Sequence, residues 1–367
     1  MRDQMRGQGR LVFAGLATFV VMGFGQALIG PTLPEVTRIF VLPDGQAAVL
    51  VSALWIGSAL GVGLMYRFGS KALPRHALAL LALGAVALAL RPVWGVMLAG
   101  AMVFGTGFGM ATAIFNPRFL KAFGARGASM LSLLNAAFAA GAIVAPLVFV
   151  AVGGASRIVF AMAVGLCVLV WLFAGETEGG PAARVAVARP GFRIHWPIMV
   201  FGAIGIGIEA SLIGLGSTAL ITAGESEIRA AQLLSAFFVV FLLARIVLGV
   251  MAHRVPSFAI YTAAMFWAAL SALVAALWSP GAAFVAMGVS CGMFFPGFFV
   301  TSARKMGDDP RVTPVILSAG LVGGIGLPLV LAALTTGMGA HGFFWLLLGI
   351  SLPTALAAVV ALRSMAR

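Results

Sequence analysis

Residues 136–148 read AAFAAGAIVAPLV, and 182 positions later residues 318–330 read SAGLVGGIGLPLV. Gly141 falls on Gly323 and Pro146 on Pro328. A second pair of segments agrees to within one position: Gly105-Thr-Gly-Phe-Gly109-Met110 resembles Gly288-Val-Ser-Cys-Gly292-Met293, 183 residues apart. Two separate segments with nearly one offset point to an internal repeat of about half the chain. The competing reading is chance agreement between stretches rich in Gly and Ala.

The repeating unit follows from composition. Of the 367 residues, 62% are hydrophobic and only 9% charged, too few polar groups to cover a soluble core of this size. The apolar residues gather in runs of about 20, the length that crosses a bilayer as a helix. Twelve such runs are predicted: 11–33, 46–66, 76–91, 93–115, 128–150, 157–174, 197–222, 229–251, 258–278, 282–303, 313–336 and 343–362. The 47 glycines and 17 prolines fit this reading, since both are commoner in membrane spans than in soluble helices. The longest polar interruption, GETEGGPAARVAVARPGFRIH at 175–195, has no apolar periodicity and reads as a linker. The expected fold is an all-α integral membrane protein with twelve transmembrane helices in two pseudo-symmetric six-helix bundles. The bundles are residues 1–174 and 197–367, joined by a cytoplasmic linker at 175–196. Six spans repeated in parallel is the plan of a two-bundle transporter with its site at the midplane between the halves.

The formal charge of +13 suggests nucleic acid until its distribution is examined. Of the 23 Lys and Arg residues, 19 are assigned to the tails and loops on one side of the predicted spans, Arg245 at the inner end of span eight among them. Only Arg38, Arg91, Arg157 and Arg229 fall on the other. This is the positive-inside asymmetry, which places both termini in the cytoplasm of a cell bounded by its inner (plasma) membrane. Nucleic-acid binding would need a clustered basic face instead. The run at 11–33 is too long for the apolar core of a signal peptide and reads as a retained span. Cys167 and Cys291 both fall inside spans, so neither a disulfide framework nor a zinc site is expected. His76, His195, His253 and His341 lie at span ends or in loops, and the 17 methionines are scattered, which argues against a metal or copper site. No phosphate-binding loop occurs. The reading is of no enzyme, no cofactor and no metal, with a small molecule, protons and the lipid bilayer as partners and a monomer as the unit.

At the inner end of span eight, Arg245-Ile-Val-Leu-Gly249-Val-Met-Ala-His253-Arg254 resembles the loop signature R-x-x-x-G-x-L-A-D-R of the major facilitator superfamily, with His253 at the acid's position. Tyr66-Arg67-Phe68-Gly69-Ser70-Lys71 is a weaker copy in the first half, with Tyr66 in place of the acid. The resemblance implies a conformational latch at Arg67, Arg245 and Arg254, and the loss of both acids departs from it. Within the superfamily the chain is similar to fucose-permease-like sugar symporters. Gly30-Pro31-Thr32-Leu33-Pro34-Glu35 resembles their first-span ending. Gly107-Phe-Gly109 with Asn116, Arg126-Gly127-Ala128 and Leu133-Leu134-Asn135-Ala136 resembles a further stretch, with Asn135 in the place of a His. Ile206-Gly207-Ile208-Glu209-Ala210-Ser211 resembles a G-x-E segment of span seven. Those symporters carry acids within spans one and four. Here span four has none, and span one has Gln26 inside and Glu35 only at its outer rim. Their proton route therefore does not carry over directly.

Glu209 is the carboxylate placed deep in a span, and it carries the proton-coupling expectation. It shares a helix face with Gly202, Gly205, Leu212 and Gly216, a face that either packs closely on a neighbour or opens a cavity. Burial disfavours the charged form of a carboxylate, so such a group can load and release a proton as access alternates. The other reading is a protonated acid hydrogen-bonded to a neighbouring helix. Gln26 lies 183 positions earlier, near the repeat offset, and its amide suits a hydroxylated solute. Asn135, Ser211 and Ser318 are further solute-binding candidates, and Phe294 and Phe295 could stack on a sugar ring or close a gate. Asn116, followed by Pro117, is expected to cap span four. With no basic residue counted deep in a span, Glu209 is expected to rest neutral rather than in a salt bridge. These features predict a secondary transporter working by alternating access, with proton-coupled uptake of a small neutral polar solute such as a sugar. An efflux antiporter, a facilitator and a non-transporting sensor or assembly factor of the same fold are the alternatives.

Overall fold

In hydrocarbon a backbone N–H or C=O has no water to bond, so an apolar run of this kind satisfies itself as a helix. The computed structural model describes residues 2–68, 73–123, 127–174, 192–251, 255–307 and 311–366. Twelve α-helices are found among them: α1 (Arg2–Phe40), α2 (Val49–Phe68), α3 (Pro74–Leu90), α4 (Trp94–Phe123), α5 (Gly127–Ala151), α6 (Ser156–Phe173), α7 (Trp196–Thr222), α8 (Glu227–Met251), α9 (Ser257–Leu277), α10 (Pro280–Met306), α11 (Val312–Thr335) and α12 (Gly342–Ala366). A short 3-10 turn, Gln46–Ala48, leads into α2. Eleven helices are long and apolar enough to cross a membrane. The twelfth, α3, has 17 residues and rises about 26 Å, just short of a hydrocarbon core of about 30 Å. The chain is a multi-pass membrane protein.

Two predicted span ends are corrected. Span one was expected to stop at Leu33 and span four at Phe115, each just before a proline-bearing segment. Instead α1 continues through Pro31 and Pro34 to Phe40, and α4 through Pro117 to Phe123. Asn116 is therefore inside a helix and caps nothing. Each proline removes one backbone bond. Among packed membrane helices that loss is tolerated, because leaving the helix would forfeit several more bonds.

Contacts divide the chain into two units. One comprises Met1–Leu42 with Val49–Val185, the other Pro43–Ala48 with Ala186–Arg367. The polar segment at 175–191 lies outside the described residues. Within the first unit α1 packs on α5, α2 on α4 and α3 on α6. Within the second α7 packs on α11, α8 on α10 and α9 on α12. The glycines show that the likeness extends to single residues. A methyl group added to Gly105 or Gly109 would collide with the carbonyls of Leu54 or Ser58 on α2. One added to Gly288 or Gly292 would collide with those of Phe237 or Phe241 on α8. Leu54 and Phe237, like Ser58 and Phe241, are 183 positions apart. Gly141 backs onto the Val20 carbonyl and Gly323 onto that of Ala203, again 183 apart. The repeat read from sequence is a repeat of helix-to-helix contacts.

Aromatic side chains fill what the glycines leave. Phe104, Phe115 and Phe119 are fully buried in the first unit, and Phe237, Phe238, Phe241, Phe284 and Phe298 in the second. One polar clasp holds the first unit at its rim. Arg91 ends α3 in the left-handed conformation, φ 51°, and its guanidinium meets Glu35 Oε1 at 2.7 Å and Ser156 Oγ at 2.9 Å. The other carboxylate oxygen of Glu35 accepts from the Ser156 backbone N–H, 3.3 Å away, at the N-terminus of α6. A carboxylate suits the positive end of the helix dipole. Glu35 thus ties α1, α3 and α6 together.

Candidate functional site

Glu209 lies thirteen residues from either end of α7, about 20 Å along the axis from each. The glycines beside it do not open a cavity. Gly202 is filled by the Phe298 ring, Gly205 by Tyr261 and Phe294, and Gly216 by Phe284. Of the two readings of that face, close packing is the one found. The rings come from α9 and α10, and they press α7 into the second unit. On the far side of α7, Gly207 approaches Leu327 and the Gly323 carbonyl of α11. The Tyr261 hydroxyl donates to the Phe201 carbonyl at 2.5 Å.

Within this packing the Oε2 atom of Glu209 is shut off from solvent and has no hydrogen-bond partner. Arg245 on α8 lies within electrostatic range of it, and so does the buried thiol of Cys291 on α10. Arg245 is six residues from the end of its helix, about 9 Å inside. Its Nε is also buried and unbonded, and its guanidinium carbon sits 4.3 Å from the centre of the Phe241 ring. A cation over an aromatic face gains about 0.5–2 kcal/mol depending on desolvation. The two charged groups make no direct ion pair. The arrangement is a charged pair held apart: each feels the other's field, and each keeps a polar atom unsatisfied. The expectation that no basic group lies near Glu209 is therefore corrected. The signal was in the sequence, since Arg245 falls within the predicted span 229–251. The loop-signature resemblance drew it toward the surface instead.

The other candidates are spread more widely. Gln26 is buried in α1, and no described residue hydrogen-bonds its amide. Asn135 on α5 and Ser318 on α11 are both exposed. Each donates to its own helix, Asn135 to the Leu131 carbonyl at 2.9 Å and Ser318 to that of Pro314 at 2.9 Å. Ser211 is fully buried and donates to the Gly207 carbonyl at 2.7 Å. Phe294 is fully buried against Tyr261, ring centres 5.8 Å apart. Phe295 is half-buried and lies 5.3 Å from Phe299. The Oδ1 atom of Asn116 is buried without a partner. Arg67 ends α2 with its side chain outside the described residues, and Arg254 lies outside them altogether. Among the described residues no cluster of His, Cys, Asp or Glu could hold a metal ion.

No protein-family model and no curated protein sequence matches the chain. Solved structures do. The crystal structure of a D-xylose-proton symporter superposes with a TM-score of 0.78 over 95% of this chain and 96% of its own, at 13% identity. That of the nucleoside transporter NupG, in a mutant form, gives 0.75 over 96% and 99%, at 15% identity. A Major Facilitator Superfamily transporter, FucP, in its outward conformation gives 0.60 over 95% and 98%, at 17% identity. The fold is the major facilitator fold. Coverage near completeness on both sides means that all twelve helices take part in the likeness, not one bundle alone. Identities this low carry the fold and nothing finer. In this major facilitator fold Gln26 and Glu209 occupy equivalent places in the two six-helix units.

Proposed function

We propose that this chain is a secondary transporter that works by alternating access and couples the uptake of a small neutral polar solute, such as a sugar, to protons. The observation that carries the reading is Glu209, a half-buried acid at mid-helix with one oxygen shut off from solvent and unpartnered and Arg245 within reach of its charge. An isolated anion at that depth is costly, and ionisable groups kept inside a membrane bundle are by default functional. Loading a proton onto Glu209 removes its hold on Arg245. Releasing the proton restores it. A group with two such states can bias a moving bundle, provided that access to it changes sides.

The neutral-solute reading rests on a different ground than the sequence offered. A basic group does lie inside a span, but its field is offset by Glu209, so it does not stand free for an anion. The D-xylose-proton symporter and the nucleoside transporter among the structural neighbours are named for sugar and nucleoside cargo and another neighbour for organic anions, so the neutral-solute reading rests on the offset charge of Arg245. Gln26, Asn135, Ser318 and Phe295 supply solute contacts in this proposal. Ser211, bonded within its own helix, and Phe294, packed on Gly205 of α7, are fully buried and are given no solute contact in this proposal. Arg67 and Arg254 serve the conformational latch. The positive-inside bias sets the protein in an inner membrane with both termini cytoplasmic.

Thermal unfolding of the purified protein against a solute panel identifies the cargo, because a ligand at 100 times its Kd stabilises the folded state by about 2.7 kcal/mol. Adding that solute to cells then alkalinises the medium if protons enter with it. Glu209→Gln is expected to keep the thermal shift and lose the alkalinisation. Undiminished proton uptake by the Gln variant would remove Glu209 from the coupling role.

A further inference from the structure

The seam of α1 and α6 holds two adjoining depressions lined by none of the residues assigned to the proposed transport site. One is a groove of about 520 Å³ between α1, α5 and α6, lined almost wholly by apolar atoms, with Phe24, Val144, Met162 and Leu169 among its walls. Gly165 lies on its α6 wall, where an added methyl carbon would meet nothing within 4 Å. The other, of about 430 Å³, is formed by Gly9, Arg10, Phe13 and Phe173. Leu169 and Phe173 are one turn apart on α6, so the second depression continues the first toward the end of the seam. Arg10 stands at the polar start of the α1 span, exposed, and no described residue pairs with its guanidinium.

We infer that this seam is a binding site for one anionic phospholipid, its phosphate on Arg10 and an acyl chain in the groove of α1, α5 and α6. A groove so apolar on a membrane-spanning surface takes up hydrocarbon rather than water. Met162, Leu169 and Phe173 are 43%, 52% and 63% exposed along it, as expected of side chains that border lipid. Among the residues described around the seam's end, the charged one is Arg10, a cation with five donors whose planar fork matches a phosphate. Charge and apolar length therefore follow one another in the order of a phospholipid's own headgroup and tail. The site lies entirely in the first unit and does not depend on Glu209 or on the cargo.

The test is native mass spectrometry of the delipidated full-length protein in uncharged detergent, titrated with phosphatidylglycerol, phosphatidylcholine or glycerol phosphate. One phosphatidylglycerol is expected to bind in preference to phosphatidylcholine, and glycerol phosphate is expected not to displace it. Arg10→Ala should weaken phosphatidylglycerol about fivefold, the effect of one basic residue near an anionic lipid surface, and erase the preference. Gly165→Phe should weaken both lipids while retaining Arg10, since the ring enters space the protein leaves open. Circular dichroism checks that both variants stay helical. Unchanged phosphatidylglycerol occupancy in both folded variants, or displacement by glycerol phosphate alone, would overturn the inference.

Discussion

Removing the guanidinium of Arg245 would take from the half-buried Glu209 the one cation among the described residues whose field reaches it. Its Oε2 already lacks a hydrogen bond, and the field of Arg245 offsets part of the cost of burying the anion. Arg245→Met is therefore expected to destabilise the protein by about 1–3 kcal/mol, the range for a buried polar group left unsatisfied. Adding Glu209→Gln to that variant should recover part of the loss, because the amide carries no charge to strand. Thermal unfolding of the two single variants and the double variant measures the coupling directly. Additive effects would mean that the two side chains do not sense one another. At this scale the sequence was half legible. Glu209 stood out because a lone carboxylate in an apolar run has few harmless explanations. Its partner did not, because Arg245 also fits a surface loop signature, and one-dimensional spacing does not say which side chains on α7 and α8 approach.

Between helices, the contacts to test are backbone approaches at glycine. Gly141 on α5 and Gly323 on α11 each lie so close to a neighbouring carbonyl that a side chain cannot enter without moving a helix. Gly141→Leu and Gly323→Leu should each cost about 1–3 kcal/mol or more by overpacking. The effects should be similar in size, because the two positions are copies of one contact. Gly349 on α12 meets open space and serves as the control, where Leu should be nearly neutral. Unfolding midpoints in detergent decide the matter, and a harmless Gly141→Leu would mean that α1 and α5 are not so close. These glycines were visible beforehand as a repeated pattern, because close helix approach in a membrane demands small residues at fixed spacing. Helix ends were less legible. Asn116-Pro117 has the form of a terminus, and α4 nonetheless runs six residues past that proline. A local stop signal was outweighed by the absence of any other bonding partner in lipid.

Over the whole molecule, the repeat makes the two units alike in helix pairing, and the charges make them unlike. The positions equivalent to Glu209, Arg245 and Cys291 in the first unit are Gln26, Val62 and Phe108. The charged pair therefore belongs to the second unit alone, while the first offers an amide at the matching place. This division suits the proposed transport cycle, in which the ion chemistry belongs to the second unit and both units contribute solute contacts. It works as uptake only if the chain lies in the membrane the right way round, and orientation is encoded in the loops. With both termini inside, the connection between α11 and α12 faces out and the segment before α7 faces in. Both native cysteines are buried, so the chain supplies its own quiet background for labelling. Ala340→Cys, exposed between α11 and α12, should react with a membrane-impermeant maleimide added to intact cells. Arg193→Cys, exposed just before α7, should react only after the cells are opened. The opposite pattern would place the basic tails and loops of the predicted inner side outside, against the charge rule that set the orientation. It would also turn the proton-coupled uptake proposed for Glu209 into export.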